Sequence, residues 1–561
     1  MVITRNFKQA FPVLLSVLAC GITSFVILFY SYDTYWYPPD EGVFAHLADR
    51  LNNGEVYGVD FYDLHPGYHT FWNAFLFKVF GRDLLVLRYP LLILGVIQSM
   101  MASYMLRRQG FLISFLGGLA MVVLGFIKFK NPTPNWYCLF FAILSIFLLS
   151  EGGRKPWVLF ATGFTVGLCV MFRHPSGILL CCGVLAYLLQ QEVLDTPDKK
   201  IKSNAHLMRL TLILILFTLL AYNFFVWEIG GFLMLGVWPA MITAFLLTQR
   251  QAPDRQLWPI LLQLGAGFCA AIAPMIIYQL TKGDITLWFP SLFSSRHIVS
   301  LDFFSAWTYW KTLLYTGVHF FQQPNISNLT SFLFVGLLCS IPFIVGLEGV
   351  LAVLTIHINR KIHPAIIIAP FYVCVAYYFQ SLIYLFFALS LSILAWLCSA
   401  GGNKIFRAVV LIFLMNVASY VNAFLPSEGA YSVKAELPGV TLKIAQESKQ
   451  HFTKVLALIN HYAQPQDFIF AFPSDSELYF MSGRRNPMLH CCTTLDIVDE
   501  KSYQNALDKL QKARPAVVIY TPHDKYTGPY ERQLVEWFTR HEKYRKITTV
   551  GDFEIFIPPK P

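Results

Sequence analysis

The sequence predicts a polytopic α-helical membrane protein with a small soluble α/β domain at its C-terminal end. Three observations carry this. Hydrophobic residues make up 56% of the 561 residues and charged residues only 14%, against about 25% charged in ordinary soluble proteins. Apolar runs recur along most of the chain, many close to the ~20 residues that cross a bilayer core. In the last quarter they stop, charged residues return, and short strand-like segments alternate with helical ones. The mean hydropathy of +0.52 agrees. The 50 Phe and 28 Tyr suit lipid-facing and interfacial surfaces.

The first apolar run, Phe11 to Tyr30, is long enough to span the bilayer. An acidic stretch follows it rather than a small-residue cleavage site, so it reads as a retained anchor. Further spans are predicted at 84–105, 110–127, 135–150, 157–172, 176–191, 209–227, 231–248, 257–279, 331–356, 364–379, 382–399 and 405–424, about thirteen in all. The short pair 364–379 and 382–399 also fits a single tilted span. Residues 1–424 then form the membrane body, with long outer loops at 31–83 and 280–330, and residues 425–561 form the soluble domain.

Loop charges set the direction. With the N-terminus inside, the inner loops hold Arg5 and Lys8; Arg107 and Arg108; Arg154 and Lys155; Lys199, Lys200, Lys202 and Arg209; Arg250 and Arg255; Arg360 and Lys361; Lys404 and Arg407. The outer connections near 228–230 and 380 hold none. The positive-inside rule therefore favours an odd number of spans and an outer C-terminal domain.

Within loop 31–83, Glu41 to Asn52 sets Phe44, Leu47, Ala48 and Leu51 on one helical face, with Pro39 and Asp40 as start signals. Pro66 to Phe80 is a second helical segment, rich in aromatics and ended by Gly81. Both suit helices lying in the membrane interface, as does Phe303 to Phe321 in the later loop. In the tail, helices are expected at 441–462, 501–512 and 529–540, and strands at 467–472 and 515–520. A terminal hairpin at 546–550 and 553–557 turns at Gly551-Asp552.

Composition also excludes. The net charge of +10 is spread over short loops rather than one patch, so nucleic acid is not the implied partner. The 11 cysteines are scattered without CxxC spacing, which implies neither a disulfide framework nor a zinc site. No phosphate-binding Gly-rich loop, HExxH or GxSxG occurs in the tail.

The chemistry-bearing stretch is Tyr37-Pro-Pro-Asp40-Glu41-Gly42, continuing through Asp60, Asp63 and His65-Pro66-Gly67. Acids at the outer mouth of the first span face water and membrane together, where a lipid-linked substrate meets an acceptor. A sugar on a polyprenyl phosphate has a leaving group that departs as an anion. Its transfer needs one carboxylate base and cations on the phosphate, rather than the carboxyl pair of a glycoside hydrolase. Asp40 supplies the base, with Glu41 beside it. The outer-face cations are Arg173 with His174, Lys128 and Lys130, and Arg296 with His297. Asp63, His65 and Asn135 are candidates to bind substrate. Plainer readings stand beside these: Asp40 as a helix cap, Glu41 as a first-turn dipole partner, the cations snorkelling to the interface.

Asp40-Glu41 just after the first span, the following Ala45 and Gly54, and Tyr62-Asp-Leu-His65-Pro66-Gly67 resemble the GT-C superfamily of membrane glycosyltransferases, family 39. That family holds the protein O-mannosyltransferases and the bacterial transferases that add aminoarabinose or galacturonic acid to lipid A. The resemblance implies a polyprenyl-phosphate sugar donor, a lipid, glycan or protein acceptor, a site on the outer membrane face, and Asp40 at the catalytic centre. It favours a bacterial inner membrane with the N-terminus cytoplasmic. Such families often carry a second acid in the outer loop after the third span. Here that loop reads Phe129-Lys-Asn131-Pro-Thr-Pro-Asn135, and Asn131 or Asn135 offers hydrogen bonds but no base. A divalent cation stays open as a cofactor. The competing class is a transporter or flippase, which would carry internal repeats and broken midplane helices; the sequence shows no repeat.

Overall fold

The computed structural model describes residues 2–195, 206–226, 229–249, 252–294, 308–355, 362–377, 382–399, 402–420, 433–524 and 526–559. The described part of each segment predicted to span is mainly helical, and 364–379 and 382–399 fall on two separate helices, Pro364–Val373 and Leu382–Cys398. Eight described helices are long and apolar enough to cross a membrane, and four more are apolar but shorter. The protein is thus an integral, multi-pass membrane protein.

The first helices build the frame of the site. They are α1 (Val2–Ser31), α2 (Pro38–Asn52), α3 (Tyr68–Phe80), α4 (Leu84–Met105), α5 (Phe111–Val123), α6 (Pro134–Gly152), α7 (Pro156–Phe172) and α8 (His174–Asp195). Local signals set their starts. Asp83 caps α4 by accepting from Leu85 N at 2.8 Å, and Thr133 caps α6 ahead of Pro134. Gly67, at φ 118°, makes the left-handed step into α3 that a Cβ would strain.

Packing between helices uses small and hydroxylated residues, since lipid gives no hydrophobic drive to associate. Across α1, α4 and α5, Ser16 donates to Ser114 at 2.9 Å, Ser114 donates to the Ser103 carbonyl at 2.6 Å, and Ser99 donates to the Gly118 carbonyl at 2.9 Å. Helix α7 meets helix Asp254–Thr281 backbone to backbone. A Cβ on Gly163 would collide with the Leu264 carbonyl, and one on Gly267 with the Phe160 carbonyl.

The C-terminal region holds a four-stranded sheet, in the spatial order Ile469–Phe472 (β3), Val517–Tyr520 (β4), Phe553–Ile557 (β6), Arg545–Val550 (β5). Strands β3 (Ile469–Phe472) and β4 (Val517–Tyr520) run parallel, with Phe470 opposite Val518. Strands β5 (Arg545–Val550) and β6 (Phe553–Ile557) form the expected hairpin, and β6 pairs antiparallel with β4. Helices Gln446–Tyr462, Glu500–Ala513 and Pro529–Glu536 stand close to their expected positions. Helix Ser476–Ser482 and the two-residue pair β1 (Val433–Lys434) and β2 (Lys443–Ile444) have no counterpart in the sequence reading.

This region is welded to the loop that follows α1. Trp36, Phe44, Ala45, Leu76, Phe77 and Leu84 share one hydrophobic core with Leu437, Leu442, Phe452, Val455, Tyr479 and Phe480. The Lys443 amide donates to the Asp33 carbonyl at 2.7 Å. Consequently α2 does not lie on a lipid surface with one polar face in water. Glu41, Gly42, Phe44, Ala45, His46, Leu47, Ala48 and Arg50 are all buried, because helix Ser476–Ser482 covers the face that amphipathicity assigns to solvent. Helix α3 does keep an apolar outer side, with Phe75, Val79 and Phe80 exposed. Of the third expected interfacial helix, Thr308–Gln322 is helical, and 303–307 lie outside the described residues.

Candidate active site

The site begins with the way α2 starts. Tyr37 is the N-cap residue and Pro38 and Pro39 take the first helical positions, where a missing N–H costs nothing. Asp40 therefore sits in the first turn and is not the cap, contrary to the plainer reading. The segment leading into it is clamped from α4. Arg88, 2% exposed, donates to the carbonyls of Tyr32 and Thr34 at 2.9 Å, to that of Tyr35, and to the Glu41 carboxylate at 2.6 Å.

Those bonds separate the two neighbouring acids. Glu41 is turned inward onto Arg88. Burial raises its carboxyl from the ordinary range to about 7, with the Arg88 charge opposing the rise. Asp40 is turned outward, onto a cavity of about 480 Å³. Asn131 Nδ2 donates to Asp40 Oδ2 at 2.9 Å. In the loop after α5 an amide thus stands against the Asp40 carboxylate.

The same cavity is lined by Asp63, His65, Asn135, Arg173 and His174. Asp63 and His65 form a pair, with Nδ1 to Oδ1 at 2.8 Å, and Thr70 donates to the other Asp63 oxygen at 2.9 Å. Burial pushes the Asp63 carboxyl up, but the His65 ring and these hydrogen bonds outweigh it and hold the group below the ordinary carboxylate range. Asn135 Nδ2 donates to Thr133 at 2.9 Å, while its Oδ1 is buried and has no hydrogen-bond partner among the described residues. Arg173 sits at the junction of α7 and α8, 4% exposed, with Nη1 on Ser176 Oγ at 2.8 Å and its guanidinium 5.7 Å from the Tyr384 ring centre. His174 presents a buried Nδ1 with no hydrogen-bond partner among the described residues.

Two solved structures are similar along the chain. Both are ArnT from Cupriavidus metallidurans. The crystal structure bound to undecaprenyl phosphate aligns over 97% of this chain and 97% of that one, at 12% identity and a TM-score of 0.40. The apo crystal structure aligns over the same shares at 12% identity and 0.39. No protein-family profile matches, and neither does any curated protein.

Glu41 and Lys130 stand apart from the cavity. Lys130 Nζ donates to Thr34 Oγ1 at 2.6 Å and lines a small groove beside α1 with Leu28, Tyr32 and Arg88. The Lys128 side chain and all of Arg296 lie outside the described residues. Among the described residues, no group of three or more His, Cys, Asp or Glu is arranged to hold a metal ion.

The roof of the cavity comes from the C-terminal region, through Ser474, His490, Cys491, Cys492, Leu495 and Tyr526. None of these was singled out as a site residue by sequence. The contacts that bring them in are long-range: Arg50 Nη1 donates to the Met488 carbonyl at 2.9 Å, and the Tyr62 amide to the Leu489 carbonyl at 3.0 Å. Burial, and then the Asp40 charge, raise the Tyr526 hydroxyl well above its ordinary range. Tyr35, Tyr37, Phe129 and Tyr384 add aromatic faces to the wall.

Proposed function

We propose that this protein is a membrane glycosyltransferase of the GT-C type, moving a sugar from a polyprenyl phosphate to a hydroxyl acceptor at the outer face of a bacterial inner membrane. One observation carries the reading. A single cavity at the mouth of the first span collects a carboxylate, Asp40, and a buried guanidinium, Arg173, from distant parts of the chain. That is the minimum the chemistry requires, a base for the acceptor and a cation for the departing phosphate.

In this mechanism Asp40 takes the proton of the acceptor hydroxyl. The acceptor oxygen forms a bond to the anomeric carbon as the carbon–oxygen bond to phosphate breaks, with inversion. The electron pair leaves on the polyprenyl phosphate, which Arg173 and His174 hold. Asn131 orients Asp40. Asn135, Asp63 and His65 contact the sugar or acceptor hydroxyls, and the aromatic wall packs on the apolar faces of the sugar. Glu41 acts on the site through Arg88, by fixing the start of α2.

The test is transfer in proteoliposomes, with radiolabelled sugars on undecaprenyl phosphate as donors and a bacterial envelope extract as acceptor. The wild type is expected to label the extract. Asp40→Asn is expected to lose transfer by at least about a hundredfold, while melting at the wild-type temperature in detergent. Near-normal transfer by Asp40→Asn would remove Asp40 as the base. Movement of the labelled lipid across the bilayer without transfer would favour a flippase instead.

A further inference from the structure

We propose that His490, its ring held by Asp496, is the contact through which the C-terminal region binds the hydroxyl acceptor. The inference rests on the glycosyltransferase reading and assigns a part of the site that the reaction chemistry leaves unassigned.

The geometry is that of an imidazole prepared for a ligand. His490 Nδ1 lies 2.9 Å from Asp496 Oδ1, and the His490 amide donates to Asp496 Oδ2 at 3.0 Å. One carboxylate thus grips both ring and backbone. A carboxylate on Nδ1 places the ring hydrogen there, so Nε2 carries the lone pair. That Nε2 is buried and has no partner among the described residues. The side chain is 9% exposed, and His490 lines the cavity shared with Asp40.

The ring packs against Tyr62, 5.5 Å between centres. The strand of backbone on either side is pinned by Arg50 on Met488 and by Ser476 Oγ on the Cys491 carbonyl at 2.9 Å. A buried acceptor atom held in place without a donor is costly, and a bound ligand is what supplies one here.

The unpartnered lone pair selects the ligand. A lone pair needs a donor, and a hydroxyl group is one. Phosphate oxygens of the sugar donor are acceptors and suit Arg173 instead. His490 is therefore suited to a hydroxyl of the acceptor rather than to the phosphate of the donor. It also gives the C-terminal region a direct role in choosing the acceptor.

The experiment compares full-length variants in proteoliposomes, with labelled undecaprenyl-phosphate sugar as donor and envelope lipid extract as acceptor. His490→Phe keeps a ring against Tyr62 but removes Nε2. It is expected to raise the extract concentration for half-maximal rate about tenfold, leaving the maximal rate and the retention of undecaprenyl phosphate near wild type. His490→Gln, whose amide oxygen reaches about as far as Nε2, is expected to recover most of the loss. Asp496→Asn is expected to behave like His490→Phe, because an amide also accommodates the other ring tautomer. A wild-type half-saturation in His490→Phe overturns the proposal. So does an equal loss of undecaprenyl phosphate retention, which marks a structural role. Absence of transfer by the wild type overturns the glycosyltransferase reading itself, and the proposal with it.

Discussion

Arg88 shows how one buried side chain sets a site it does not touch. Its guanidinium satisfies three carbonyls of the turn after α1 and the Glu41 carboxylate, all out of water. A buried ion pair adds little net stability when intact, yet removing one partner leaves the other charge stranded. Arg88→Met should therefore lower stability by roughly 3–5 kcal/mol, seen as an earlier melt in detergent. Asp40 should lose its orientation in the same variant, so transfer should fall even at temperatures where the protein stays folded. The Asp40-Glu41 pair was legible in sequence as two adjacent acids. Which one faced the cavity was not, because that depends on an arginine 47 residues away.

At the scale of elements, amphipathicity found the helices but misjudged what covers them. The apolar stripe of α2 is real, with Phe44, Leu47 and Ala48 buried. Its other face, carrying Glu41, His46 and Arg50, is buried as well. A periodicity argument assigns polar residues to water because it sees one helix at a time. Gly42 was named in sequence only as part of the Tyr37 to Gly42 stretch, with no packing role, yet a Cβ there would strike the Glu477 backbone. The contact between α7 and helix Asp254–Thr281 depends on glycine in the same way. Gly163→Leu should force these helices apart, since the obstruction is the Leu264 carbonyl, which cannot rotate away. The expected loss is about 1–3 kcal/mol or more, read as a lowered melting temperature and faster hydrogen exchange in both helices. Arg173 ends α7, so, on the proposed mechanism, the same substitution should also weaken the hold on the departing lipid phosphate.

For the whole molecule, the seam between the membrane body and the C-terminal region holds the most unusual electrostatics. Glu41, Asp475 and Glu477 are all buried along it. Burial raises Glu41 to about 7. Burial raises Asp475 further, helped by Asp524 and opposed by the Thr521 hydrogen bond. Burial and the Asp475 charge carry Glu477 well above the carboxylate range. The folded protein thus binds protons that the unfolded chain releases at about pH 4. Where the native state holds more protons, stability falls as pH rises. The seam should be most stable below about pH 4 to 5 and weaken through pH 7 and above. Melting temperature should drop between mildly acid and mildly alkaline buffer, and Glu477→Gln should shrink that drop. An unchanged slope in the variant would detach Glu477 from the effect. Because the C-terminal region shares its core with the loop that follows α1, it stands on the face where α1 ends. A spanning α1 then implies an odd number of crossings, the parity that loop charges favour.

The sequence by itself determined the membrane class, the helical segments, the strands of the terminal sheet and six residues that meet in one cavity: Asp40, Asp63, His65, Asn135, Arg173 and His174. These were legible because hydropathy and charge at span ends are local properties, and the bilayer forces charged groups to the same few faces. Only the tertiary structure decided that Glu41 turns to Arg88, that Lys130 bonds to Thr34 outside the cavity, and that Asn131 stands on Asp40. Only it brought His490 and Tyr526 over the site from about 450 residues away along the chain. The reason is physical. Composition sets which side of the membrane a residue prefers. Which residues then share a cavity depends on long-range contacts, the Arg50 bond to Met488 among them, and no local pattern encodes those.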